Sequence, residues 1–120
     1  MAKRILLVED DEDSRDMLSR RLKREGFSVV TAVNGRDGIA KANQHDPHLI
    51  IMDINMPVMD GWEATKALKA SSRTKHIPVV ALTARSSVAD FERCADVGCD
   101  SYEAKPVEFA KLLRKIKNNL

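Results

Sequence analysis

Short apolar runs alternate along this chain with longer stretches in which apolar residues recur every three or four positions. Ile5-Leu6-Leu7-Val8 is closed by the acidic run Glu9-Asp10-Asp11-Glu12-Asp13, which is the pattern of a strand buried on both faces. From about Ser14 to Glu25, Met17, Leu18 and Leu22 share one side of a helix capped by Asp13 or Ser14 and stopped by Gly26. Phe27 to Val33 (FSVVTAV) is β-branched and strand-like, and Asn34-Gly35 reads as a turn. Asp37 to Gln44 predicts a short helix ended before Pro47, and Leu49 to Asp53 a third strand. After a loop from Pro57 to Gly61, Trp62 to Ala70 predicts a helix with Ala64 and Leu68 four apart. Pro78 to Thr83 reads as a fourth strand, Ser87 to Val97 as a helix ending at Gly98, and Cys99 to Glu103 as a fifth strand. The last helix, from about Val107, sets Phe109, Leu112, Leu113 and Ile116 on one face with its lysines outward.

Five strands alternating with five helices through short loops predict a parallel sheet with helical crossovers. The expected architecture is one doubly wound α/β domain across residues 1–120. A chain of 120 residues can build such a core without staples. Composition adds little, since 43% hydrophobic and 32% charged residues are ordinary for a globular protein. No apolar run reaches membrane-spanning length, and Met1-Ala2-Lys3-Arg4 leads straight into the first strand, so a cytoplasmic protein without signal peptide or membrane partner is expected. The net charge of +2 gives no reason to invoke nucleic acid. Cys94 and Cys99 are too few for a disulfide framework and are expected as buried or half-buried thiols. His45, His48 and His76 lack metal-ligand spacing.

The chemistry lies in what ends each strand. In doubly wound sheets, ligands bind beyond the carboxyl ends of the strands. The first strand ends at Glu9-Asp10, the third at Asp53 and the fourth at Thr83, while the fifth runs into Lys105-Pro106. An ionised Asp53 after four large apolar residues needs water or partners, and this edge supplies them. Three crowded carboxylates require a cation or a proton between them, and an all-oxygen donor set suits Mg²⁺. A carboxylate can itself be the nucleophile. Lys105 and Mg²⁺ would then neutralise charge on a transferring phosphoryl group.

The segments "ILLVEDDEDSR", "LIIMDINMPVMDG", "PVVALTA" and "YEAKP", in this order, resemble the CheY-like receiver domain of two-component response regulators. The resemblance covers essentially the whole chain. It implies a flavodoxin-like five-stranded parallel sheet of order 2-1-3-4-5 with five helices. It implies that Asp53 accepts a phosphoryl group from the phosphohistidine of a sensor histidine kinase or histidine phosphotransfer protein. Asp10 and Asp53 would ligate Mg²⁺, with the Asn55 backbone carbonyl, and Glu9 would act mostly through water. Lys105 would pair with the phosphoryl group, and the Lys105-Pro106 bond would be cis, an uncommon isomer even for proline. Thr83 would swing toward the phosphoryl oxygens and Tyr102 would move inward behind it. The surface of the fourth helix, fifth strand and fifth helix would then change, to be read by an effector protein or by a second copy in a phosphorylation-dependent dimer. Asn55 and Arg85 would border the attacking water and set the dephosphorylation rate. Such a protein catalyses only its own phosphorylation and dephosphorylation.

Asp11, Glu12 and Asp13 read as loop charge and capping, and Asp60 as a cap of the third helix. Trp62 reads as helix packing beside the site, and Met52, Met56 and Met59 as core and loop filler. Two other readings remain: a degenerate receiver acting as a scaffold, and a Mg²⁺-dependent phosphohydrolase with an aspartate nucleophile. The hydrolase would want a second acid two residues after Asp53, where this chain has Asn55. A nucleotide or flavin carrier would want a phosphate loop after the first strand, where Glu9-Asp10-Asp11 would repel phosphate. The tail Asn118-Asn119-Leu120 suits a stand-alone receiver rather than one cut from a larger regulator.

Overall fold

The computed structural model describes residues 2–84 and 87–120, so the expectation placed on Arg85 lies outside the described residues. Strands and helices alternate throughout: β1 (Arg4–Val8), α1 (Glu12–Arg24), β2 (Ser28–Ala32), α2 (Gly35–His45), β3 (Leu49–Asp53), α3 (Gly61–Ala70), β4 (Val79–Thr83), α4 (Val88–Val97), β5 (Ser101–Ala104) and α5 (Phe109–Asn119). The five strands form one parallel sheet in the order β2-β1-β3-β4-β5. The predicted fold class is thus the observed one.

Alternation of side chains across the strands divides the core in two. Ile5, Leu7, Leu49, Ile51, Val80 and Leu82 point to one face, where Leu18 and Leu22 of α1 and Leu112 and Ile116 of α5 cover them. Leu6, Val8, Ile50, Met52, Val79 and Ala81 point to the other, under Ala42 of α2, Ala64 and Leu68 of α3 and Cys94 of α4. Every residue of β3 and β4 is buried, and each large aliphatic side chain so enclosed contributes roughly 1.5–3 kcal/mol of burial free energy. Met17, expected on the inner side of α1, is instead 51% exposed.

The helix starts differ from expectation in an informative way. The N–H of Ser14 donates to the Asp11 carboxylate at 2.9 Å, so α1 begins earlier than a cap at Asp13 or Ser14 would allow. Asn34 caps α2 through the Asp37 N–H at 2.8 Å, so Asn34-Gly35 opens a helix rather than making a free turn. Asp60 caps α3 as expected, accepting from the Glu63 N–H at 2.9 Å. Each cap satisfies one of the helix's unpaired N–H groups and is worth about 1 kcal/mol.

The cysteines differ too. Gly98 ends α4 in the left-handed conformation, φ 89°, and folds the chain back so that Cys99 returns against the last turn of the helix. Cys94 and Cys99 are joined there as a disulfide, with Cα atoms 5.2 Å apart. Local spacing alone had left them as two thiols.

Candidate functional site

Register decides which side chains meet at the carboxyl edge. Val8 lies opposite Met52, Asp53 opposite Leu82, and Thr83 opposite Ala104. The residues that end or follow β1, β3, β4 and β5 are therefore level with one another. Glu9 still belongs to the ladder, its N–H donating to the Ala32 carbonyl at 3.0 Å, and its side chain is only 1% exposed. Asp10, one residue on, is exposed. Arg15 of α1 holds this turn, donating to the Glu9 carbonyl at 2.9 Å and the Asp10 carbonyl at 3.4 Å.

Asp53 is likewise 1% exposed. Lys105 compensates it, with Nζ 2.8 Å from Asp53 Oδ1 and 3.5 Å from Glu9 Oε1. The backbone holds Lys105 in place through its N–H, which donates to the Thr83 carbonyl at 2.7 Å. The Lys105–Pro106 peptide is cis. A buried carboxylate losing such a partner typically costs the fold about 3–5 kcal/mol.

One cation does not balance two buried acids. Burial, and then the neighbouring Asp53 carboxylate, push Glu9 up to about 8, outweighing the opposite pull of Lys105. Burial alone would lower Lys105, but its hydrogen bond to Asp53 and the charges of Asp53 and Glu9 shift it upward overall, so it remains an ammonium ion. Carboxylate oxygens of Glu9, Asp10 and Asp53 lie within 4.8 Å of one another, and Glu9 Oε2 is buried with no hydrogen-bond partner. A hard divalent cation fits this set: oxygen donors only, excess negative charge, and an unsatisfied acceptor.

The loop after β3 returns close behind Asp53. A Cβ on Gly61 would sit 2.4 Å from the Asp53 carbonyl oxygen and 2.7 Å from Ile54 Cα, so glycine is required there. The loop itself carries strain, since Met59 N–H bonds the Pro57 carbonyl at 2.9 Å around Val58, whose φ is 73°. The Asn55 N–H approaches Asp53 Oδ1 at 3.3 Å. Beside it opens a cleft of about 510 Å³ lined by Ile54, Asn55, Trp62, Thr83, Ala84 and Asp90. Trp62 is 6% exposed in the core, with Arg93 over its ring at 5.5 Å.

Thr83 is buried, and its hydroxyl lies 3.0 Å from Asp90 Oδ2 of α4. Tyr102 is half-buried, edge-on to Phe91 with ring centroids 5.8 Å apart. Lys115, expected to point outward, instead lies along β5: it pairs with Glu103 at 2.9 Å, bonds the Tyr102 carbonyl, and approaches the Tyr102 ring at 5.5 Å.

The structure thus gathers Glu9, Asp10, Asp53 and Lys105 into one site and sets Asn55 and Thr83 at its rim, with Tyr102 one strand away. Reading the sequence missed Asp90, Arg15 and Lys115. Asp90 carries a local signal, because Ser87-x-x-Asp90 is a helix-start pattern and the Asp90 N–H does bond Ser87 Oγ at 3.1 Å. That pattern says nothing of where the carboxylate points.

Residues 5–117 match the family model described as the response regulator receiver domain. The chain is 41% identical over 114 residues to the transcriptional regulatory protein PrrA of Mycobacterium bovis, covering 95% of this chain but 48% of that protein. It thus spans about half the length of that relative. It is 35% identical over 120 residues to the polar-differentiation response regulator DivK of Brucella anthropi, covering all of this chain and 98% of DivK. Among solved structures, the chemotaxis protein CheY4 of Vibrio cholerae superposes with a TM-score of 0.94 at 34% identity, covering 100% of both chains.

Proposed function

Because this chain belongs to the response regulator receiver family, we propose that it is a phosphoacceptor whose nucleophile is Asp53. The observation that carries this reading is the contact of Lys105 Nζ with Asp53 Oδ1 at 2.8 Å, inside a ring of three carboxylates. An oxygen of Asp53 attacks the phosphorus of a phosphohistidine on a histidine kinase or phosphotransfer protein. The P–N bond breaks as the acyl-phosphate P–O bond forms, and the electron pair stays on the imidazole nitrogen. Lys105 meets the charge on the transferred oxygens, and its fixed backbone means it need not reorganise at that moment. Asp10 and Asp53 would hold Mg²⁺ directly, with the Asn55 carbonyl and, through water, Glu9. Bound there, the ion supplies the remaining positive charge for the phosphoryl oxygens.

The added group carries about −1.5 to −2 charges by analogy with phosphoserine. Thr83, at the rim, exchanges its Asp90 partner for a phosphoryl oxygen, and Asp90 releases α4. Tyr102 follows, and the α4-β5-α5 surface becomes the docking site for an effector protein or a second copy. The chain acts in the cytoplasm as a signalling module rather than as an enzyme on an outside substrate. Among the described residues, no helix is long and apolar enough to cross a membrane.

The test is intact-mass measurement after incubation with a small phosphodonor, with and without Mg²⁺, on the natural chain and on Asp53→Asn. A single phosphoryl adduct that needs the metal and is absent from the variant supports the reading. No adduct would leave a scaffold. Turnover of a phosphate ester without lasting modification would indicate a hydrolase.

A further inference from the structure

We propose that Cys94 and Cys99 form a reversible thiol–disulfide site that sets how firmly α4 is held to the rest of the fold. Cys94 is the only side chain of α4 that is fully buried, at 5% exposed. Val88 and Phe91 are 75% and 58% exposed, so the apolar anchorage of this helix is concentrated at its C-terminal end, in Cys94 and the half-buried Val97. The C-terminal end of the helix thus packs on the core through Val97 and the cysteine that the disulfide uses.

The other end of the bond is anchored. Asp100, next to Cys99, donates its N–H to the Val79 carbonyl at 2.9 Å, and its carboxylate accepts from the Val79 N–H at 2.8 Å and from Lys69 Nζ at 3.0 Å. Lys69 also bonds the Ile77 carbonyl at 2.7 Å. Cys99 is therefore fixed to β4 and α3, and bonding it to Cys94 ties the end of α4 to both. The two Cα atoms, 5.2 Å apart, lie within disulfide range.

The step balances with a low-molecular-weight disulfide such as oxidised glutathione as oxidant. The half-buried Cys99, as thiolate, attacks one sulfur of the oxidant and releases one thiolate. The Cys94 thiolate then attacks the Cys99 sulfur of the mixed disulfide and releases the second. Two electrons pass to the oxidant and two protons leave the protein. In a reducing compartment, as proposed above, a protein disulfide is characteristically of this transient, redox-responsive kind. The same helix carries Asp90, the partner of Thr83. Resting on the phosphoacceptor reading, oxidation would hold Asp90 against Thr83 and oppose the switch.

The experiment equilibrates the full chain in graded ratios of reduced to oxidised glutathione, traps free thiols by alkylation, and reads intact mass. Hydrogen exchange of α4 amides is measured in each state. Both thiols should disappear and return together within the glutathione range, and α4 should exchange roughly ten- to fortyfold more slowly when oxidised, the upper figure following from closure of a six-residue loop. Cys99→Ala, which keeps the buried Cys94, and Cys94→Ala/Cys99→Ala should each show α4 exchange that does not change with the glutathione ratio. A disulfide that glutathione neither forms nor reduces, or α4 exchange equal in both states, would overturn the proposal. The Asp53 adduct is scored in the same samples. Its absence in both states would sink the phosphoacceptor reading while leaving the exchange comparison to judge the disulfide.

Discussion

Glu9 should make the metal-free protein lose stability as pH rises through neutrality. Its native value of about 8 lies above the ordinary 4.5 because it is buried beside Asp53. A carboxyl group raised on folding stabilises fully below its unfolded value, and that contribution is lost as pH climbs toward the folded one. Between the two values the native state holds one proton more than the unfolded chain. Linkage then gives a slope of about −1.4 kcal/mol per pH unit, or ~2 kcal/mol between about pH 5.5 and pH 7. For a chain of this size that is a fall of roughly 6–10 °C in Tm. The other shifted groups act elsewhere: Asp11, lowered first by the Ser14 N–H, matters only in acid, and Lys105, raised, only in strong base. The assay is urea unfolding in the presence of a chelator, read by circular dichroism at several pH values, for the natural chain and for Glu9→Gln. The natural chain should show the steeper decline, with unchanged dependence on urea. Saturating Mg²⁺ should shrink the difference, because a divalent charge beside Glu9 favours its ionised form even through water, and the ion's stabilisation should grow with pH. Parallel pH profiles for the two proteins without metal would refute the reasoning.

Three further outcomes follow from the loops and the rim of the site. Val58→Gly should raise stability by ~0.5–1 kcal/mol, since the left-handed penalty of a β-branched residue exceeds the extra freedom glycine gives the unfolded chain; an unchanged or lower urea midpoint would contradict this. Gly61→Ala should cost about 3 kcal/mol or more, because the new Cβ meets backbone atoms at 2.4 and 2.7 Å rather than a side chain that could yield. Thermal unfolding measures it, and a loss under about 1 kcal/mol would mean that the loop relaxes. Thr83→Ala should still accept a phosphoryl group on Asp53 but lose about 1–3 kcal/mol of coupling, or 5–150-fold in phosphorylation-dependent partner affinity. Equal affinities for the two phosphorylated proteins would count against the switch.

The strands were legible because burial on both faces forces continuous apolar runs, as in Ile5-Leu6-Leu7-Val8 and Leu49-Ile50-Ile51-Met52. A charged or polar residue ending such a run belongs at the sheet's edge, which is why Glu9, Asp53 and Thr83 could be named from one dimension. Helix starts were less legible. Asp11, Asp13 and Ser14 can all cap, and only backbone geometry selects the one whose oxygen reaches an N–H three residues on. The pairing of Cys94 with Cys99 depended on the left-handed turn at Gly98. The direction of the Asp90 carboxylate depended on how α4 lies against β4, and the inward reach of Lys115 on where Glu103 falls in β5.

Sequence by itself therefore determined the kind of layers, their order along the chain and the residue types at each strand end, because these follow from local periodicity and the cost of burying charge. Tertiary structure decided that Lys105 reaches an acid 52 residues away, that Glu9 rather than Asp10 is buried, and that Cys94 is the residue α4 buries. Those are distances and exposures between segments far apart in the chain. They exist only once the five strands have taken their places in one sheet.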